Sequence, residues 1–457
     1  MSIGRETEKK VLTDWYEKQG CHLLVIYGAK GTGKMQLITE FAEQRAAACY
    51  VCRDCGDREQ RRRWRQELAR QGKILPQFPE WSDILEAASE KKDILVLEEF
   101  PFLEKTGDPF WTALEQFMRT QSQKEHFLIL LVSSSIRWVE NDMVRSMKKS
   151  AALLSGLLKV KPLDYLQIRQ LLPETDEKSR MILYGLTGGY SGRWTFFHQS
   201  DTLEDIMEHQ FLAPSSPLRE ESIRILLSEL RELNVYQTIL GSMASGNNKL
   251  NDIYLMTGFP RAKISVYLKN MMEMEIVEKV FSIETLENDK TQKGLYRISD
   301  PLIQFYFTFL YPNLSALRVM EIPDFYREYV MPYLEHYTAG AFRKSCLEYL
   351  IAENRKGRLP FQALHAGEWI GKKAALDIVL TDDNGHSMAG YCNWEKKVLT
   401  AEDLEWLLYS TGEAGLKPEC LWLFSAAEFE DRLKSMAETD QRIRLVRLED
   451  ITEASAD

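Results

Sequence analysis

Gly28, Gly31, Gly33 and Lys34, in the run GAKGTGK, have the spacing that wraps backbone N–H groups around a phosphate chain. The lysine would add a point charge for the β- and γ-phosphates, and a helix starting there would add the positive end of its dipole. The next position departs from this pattern. A hydroxyl there would be a hard oxygen ligand for the magnesium that accompanies a nucleotide, whereas Met35 offers a soft thioether. The residue types therefore favour binding of a nucleotide over its efficient hydrolysis. Two acids close a second run, DILVLEE, putting Glu98 where such sites hold magnesium and Glu99 where a carboxylate polarises the attacking water. Aspartate is usual at the first of these, so both metal-holding positions depart together.

The elements that must position these residues are legible around them. Leu23 to Tyr27, LLVIY, is an apolar strand, the glycine-rich turn follows, and KMQLITEF has the spacing of an amphipathic helix. DILVLEE reads as a parallel strand buried on both faces, with its C-terminal end at the ligand. A third run, FLILLVSSS (Phe127 to Ser135), ends in hydroxyl residues that suit a γ-phosphate sensor and a polar turn equally well. From Gly4 to about Val160, apolar strands alternate with helical stretches, the pattern of a parallel sheet covered on both faces. Cys49, Cys52 and Cys55 recur every three residues, but they lack an evident fourth ligand and AACYVC reads as a strand. Arg61, Arg62, Arg63 and Arg65, around Trp64, read as a solvated helix face.

The whole chain sets the bounds. At 457 residues it has room for about three domains, and 44% hydrophobic with 28% charged residues describes an ordinary globular protein. A net charge of −10 argues against a surface built wholly for nucleic acid. No apolar stretch approaches the roughly 20 residues of a membrane span. The start, MSIGRETEKK, has no signal-peptide core, and seven scattered cysteines suit a reducing compartment. The expectation is a cytoplasmic protein with no membrane partner.

Pro162 to about Arg219 is helical, contains the turn LTGGYSG (Leu186 to Gly192), and reads as a lid beside the nucleotide. Further on, YQTILGSMA, KLNDIYLMTG and PRAKISVYLKNMMEME read as three helices, the second ended by Gly258 and the third opened by Pro260. IVEKVFSI and GLYRIS bracket the polar turn ENDKTQK as a hairpin, and three helices plus a hairpin make a winged helix. Its third helix carries Arg261, Lys263 and Lys269. Acids balance the bases between Lys249 and Asp300, so a DNA contact and a packing module both stay open. The last third reads as a small α/β domain: a helix FRKSCLEYLIAEN, strands ALDIVLTDD and SMAGYCNW joined by Asp383-Asn384-Gly385, another helix, and a strand ECLWLFSA.

In this order the parts resemble the archaeal-type P-loop ATPases, relatives of AAA+ and signal-transducing STAND ATPases, that end in a restriction-endonuclease-like domain. The resemblance rests on IGRETEK (Ile3 to Lys9), GAKGTGK, the VLEEF strand end, YRISDPLIQFYFTFLYP (Tyr296 to Pro312), and the pair ALDIVL and GYCNWEKK. It implies an α/β protein with a P-loop ATPase core over residues 1–160, a helical lid over 161–220, a winged helix over 221–315 and a nuclease-like domain over 316–457. It further implies ATP at Gly28, Gly31, Thr32, Gly33, Lys34 and Met35, with Arg5 near the base. Glu98 would face a weakly held magnesium ion and Glu99 the attacking water.

The second site is where the chain departs furthest from that family. Such nucleases need an acid pair for a divalent cation and a lysine two residues after the second acid. Asp377 matches the first acid and Glu348 is the helix-borne candidate, but the family's Glu-Cys-Lys is here Tyr391-Cys392-Asn393. Neither a phenol nor an amide replaces the charged group at neutral pH, so an inactive site is expected. Glu395 and Lys397 restore the acid-x-lysine spacing and, by strand alternation, would share a face with Tyr391, about 13 Å along the strand. Two functional classes follow: a nucleotide-dependent switch with weak or absent hydrolysis, or a non-enzymatic DNA- or protein-binding scaffold whose two sites have decayed. Arg137 and Arg145 are candidate arginine fingers against the commoner reading of exposed arginines.

Overall fold

The computed structural model describes residues 4–106, 108–123, 126–229, 232–285 and 294–453. The chain forms two compact units, the first made of residues up to Pro162 together with Tyr190–Gly192, the second of Leu163–Gly189 and the chain from Arg193.

The first unit is built on a parallel sheet of β1 (Gly20–Tyr27), β2 (Ala47–Val51), β3 (Ile94–Glu98), β4 (His126–Ser133) and β5 (Leu154–Lys159), in the order β2-β3-β4-β1-β5. Strand alternation explains the continuous apolar run of β1. Leu24 and Ile26 join a core with Leu12 of α1 (Glu6–Tyr16) and Leu37 and Phe41 of α2 (Lys34–Ala42). Leu23 and Val25 face the other side, with Trp64 of α3 (Asp57–Arg70), Trp81 of α4 (Trp81–Ser89) and Phe110 of α5 (Asp108–Gln121). The basic run on α3 is paired locally: Arg61 with Asp57 at 2.6 Å, and Arg62 and Arg63 with Glu59 at 2.6 and 2.7 Å. Trp64 turns inward and stacks on Tyr50.

The strand order places the loop. β1 lies between β4 and β5, yet the chain leaves it through α2 to reach β2 at the far edge. A reversal of this kind opens a crevice at the C-terminal ends of the strands, and the GAKGTGK turn sits there.

In the second unit, helices Leu233–Ala244, Leu250–Thr257 and Arg261–Glu273 precede an antiparallel pair, β6 (Val277–Val280) and β7 (Leu295–Ile298). Gly258 ends the second helix at φ +70°, as its sequence position suggested. The turn ENDKTQK lies outside the described residues. Asp300 then caps the helix Pro301–Phe305, its Oδ1 accepting from the N–H groups of Leu302 and Ile303 at 2.9 and 3.2 Å. The same carboxylate takes two bonds, at 3.0 and 2.7 Å, from the guanidinium of Arg193, which is fully buried and also reaches Glu221 at 2.9 Å. The stretch YRISDPLIQF thus carries the cap and one half of this pairing, with Phe305 buried beyond the cap.

The long helix Met331–Arg355 leads to a mixed sheet of β8 (His365–Ile370), β9 (Ala375–Thr381), β10 (Ser387–Asn393), β12 (Cys420–Ser425) and β14 (Ile443–Arg447), in the order β14-β12-β10-β9-β8. A small pair, β11 (Val398–Leu399) with β13 (Glu428–Phe429), stands apart. β9 and β10 are antiparallel from Thr381↔Ser387, and Gly385 takes φ +88° in the expected turn. Among the described residues no helix is long and apolar enough to cross a membrane.

Candidate functional site

β1 delivers the chain to Gly28, where a Cβ would stand 2.2 Å from the Val160 carbonyl oxygen, so only glycine fits. Thr32 Oγ1 closes the loop by donating to the Ala29 carbonyl at 2.9 Å, and Gly33 caps α2 in the left-handed conformation. The Lys34 side chain folds back under the loop, its Nζ donating to the carbonyl oxygens of Gly28 at 2.8 Å and Ala29 at 2.9 Å. Burial lowers its pKa to about 8, against the opposing charges of Glu99 and Glu98 and with a smaller push from Lys30. Arg5, carried on the approach to α1, is also buried. Its Nη2 donates to the Thr32 carbonyl at 2.7 Å and its Nη1 to Glu8 at 2.9 Å, so it braces the loop from below.

Glu98, at the end of β3, and Glu99, just beyond it, reach the same ammonium electrostatically. Glu98 ends the strand, and burial followed by the charge of Glu99 raises its pKa, while Lys34 pulls it down. Glu99 adopts φ +53°, a left-handed conformation that costs a branched or long residue about 1 kcal/mol or more and is typical of positions where side-chain aim matters. Its Oε2 accepts from the Ser134 backbone N–H at 3.3 Å, so the end of β4 holds the carboxylate through its main chain. Met35, by contrast, packs with the apolar residues of the α2 face and lines an open groove with Ile38, Ala42, Cys49 and Val96. Arg137 and Arg145 are exposed, and Arg145 stands 3.7 Å from Asp142.

The C-terminal candidates have separate partners. Asp377 on β9 lies 2.9 Å from Arg343 Nε and accepts from the Cys392 N–H at 2.9 Å; burial raises its pKa and the guanidinium opposes that rise. Glu348 is turned elsewhere, accepting from the Tyr165 N–H at 3.1 Å and the Tyr184 hydroxyl at 3.2 Å, and burial raises its pKa too. Burial likewise raises the pKa of the Tyr391 phenol, which stays neutral. Among the described residues no three His, Cys, Asp or Glu side chains converge as a metal-binding group, neither here nor at Cys49, Cys52 and Cys55.

Glu395 and Lys397 do not share the strand face of Tyr391. β10 ends at Asn393, whose Oδ1 accepts from the Lys396 N–H at 2.9 Å and whose Nδ2 donates to the Lys396 carbonyl at 3.1 Å. This closes a turn in which period-two alternation no longer applies. Glu395 pairs with His336 at 3.1 Å, and both are exposed.

Two residues stand out that the sequence pattern had not marked. Arg193 had no visible partner because Asp300 lies far along the chain. Ser191 was part of the LTGGYSG turn, and the high density of small residues there was its one signal.

Comparison with known proteins adds likenesses. Residues 306–405 match the family model DUF234, described as archaea bacterial proteins of unknown function. An uncharacterized protein of Methanocaldococcus jannaschii is 26% identical over 388 residues, covering 84% of this chain and 85% of that one. Among solved structures, the Walker-type ATPase of Pyrococcus abyssi is similar with a TM-score of 0.46 and 18% identity, over 67% of this chain and 95% of that one. The ORC2 protein of Aeropyrum pernix, in ADPNP–ADP complexes, gives a TM-score of 0.44 and 13% identity, over 69% and 93%. With its five-stranded parallel sheet and the glycine-rich strand-to-helix loop from Gly28 to Lys34 at the reversal of strand order, the chain is an α/β protein whose first unit is a doubly wound parallel sheet.

Proposed function

We propose that the chain is an ATP-dependent switch that hydrolyses its nucleotide slowly or not at all. Gly28, Gly31, Thr32 and Gly33 would offer backbone N–H groups to the phosphates, and Lys34 the charge. The observation that carries this reading is the state of Lys34. It is a buried cation whose two donated bonds go to neutral carbonyls rather than to a carboxylate, and a polyphosphate would stabilise it.

The donor set favours a weakly held magnesium ion. Met35 supplies no oxygen and packs into apolar surroundings, which leaves Glu98 to hold the ion through water and Glu99 to orient the attacking water. When bound, magnesium would neutralise developing phosphate charge.

The second unit would carry the response. Its three helices and the β6–β7 pair are read as a winged helix, and the C-terminal sheet as a nuclease-like module that has lost its chemistry, in a cytoplasmic protein. Arg261 and Lys269 are exposed, with Arg261 over the Tyr254 ring at 4.1 Å and Lys269 3.8 Å from Glu273. Such a surface suits DNA or an acidic protein segment. The pairing of Asp377 with Arg343 favours a module that binds rather than cuts.

That same pairing supports a second reading, a scaffold in which neither site works. Met35→Thr separates the two. A switch with a damped site gains hydrolysis by about tenfold or more, equivalent to ~1.4 kcal/mol of barrier. A scaffold gains nothing.

A further inference from the structure

The segment Tyr190–Gly192 belongs to the first unit although it lies far from the loop in sequence. Gly192 N–H donates to the Gly31 carbonyl at 2.9 Å, and a Cβ on Gly192 would come within 3.2 Å of Gly31 Cα and O. This backbone contact fixes the preceding residue over the start of α2. A Cβ on Gly33 would lie 2.5 Å from Ser191 Oγ, so the hydroxyl of Ser191 occupies the space beside the residue that caps α2. Gly33 itself has no side chain with which to cap the helix. Ser191 is buried, and the glycines it stands among belong to a turn whose N–H groups cradle α- and β-phosphates in sites of this type.

Resting on the nucleotide reading above, we infer that Ser191 is a phosphate-binding residue of the same site. Its hydroxyl donates to the α/β-phosphate region, and it places near the loop the side-chain O–H that Met35 does not provide. Its role is hydrogen-bond donation to the ligand, from a position beside Gly33. Tight packing at three small residues, Gly31, Gly33 and Gly192, is what admits the hydroxyl. Any larger side chain at Gly33 or Gly192 would push the segment away.

The test is a calorimetric titration of the full-length wild-type chain, Ser191→Ala, Ser191→Thr and Lys34→Ala with ADP and ATP. Removing one donor to a charged phosphate lowers affinity about tenfold or more. The loss in Ser191→Ala is expected to be equal for ADP and ATP, and Ser191→Thr, which keeps the hydroxyl, is expected to stay close to wild type. Unchanged affinity in Ser191→Ala, or a loss confined to ATP, overturns the assignment while Lys34→Ala still reports on the nucleotide site. Failure of the wild type to bind either nucleotide removes both readings together.

Discussion

The Lys34 ammonium donates to the Gly28 carbonyl at 2.8 Å, so the cation of the loop is held by the loop's own backbone. Burial brings its pKa to about 8, well below the ordinary lysine value. A neighbouring phosphate raises that pKa again, so binding takes up a proton at pH values between about 8 and the raised value. The affinity for ATP is expected to fall as pH rises from 8 toward 10, by at most about tenfold per unit. Calorimetry in buffers of different ionisation enthalpy reads the proton uptake directly. Proton release, or affinity that is flat across this range, would contradict the role given to Lys34.

The bidentate contact of Arg193 with Asp300 is a buried polar anchor of the second unit's interior. Asp300→Ala removes the partner of a fully buried guanidinium and the cap of the following helix at once. The expected loss is about 3–5 kcal/mol, seen as a lower midpoint in denaturant unfolding. A loss below ~1 kcal/mol would mean that Glu221 and the Thr187 carbonyl satisfy Arg193 alone.

Tyr391→Glu combined with Asn393→Lys restores the residue types of a nuclease site. Cleavage is not expected to return, since Asp377 stays paired with Arg343 and Glu348 stays bonded to Tyr165 and Tyr184. Plasmid nicking with magnesium or manganese measures this. Metal-dependent nicking by the double variant above the wild-type level would show that the carboxylates can still meet.

Features set by neighbouring residues were legible in the sequence. The loop, its flanking strand and helix, the acids that end β3, and the Asp383-Asn384-Gly385 turn all appear where short-range patterns put them. What depended on distant contacts was not. Nothing in the neighbourhood of Arg193 announces Asp300, and nothing near Gly33 announces Ser191. Arg5 was carried over as a residue near the base, and its bond to the Thr32 carbonyl, across 27 residues of sequence, was likewise not legible. Strand alternation misled at Glu395 because it presumes that the strand continues, and the side chain of Asn393 ends it by bonding its own downstream backbone.

The central claim is that the loop from Gly28 to Lys34 binds ATP while the metal contributes little. Titrating the purified chain with ATP by calorimetry, with and without magnesium and beside Lys34→Ala, tests it most directly. Micromolar affinity that depends only weakly on magnesium and disappears in Lys34→Ala is the predicted result; no heat of binding under either condition would contradict it.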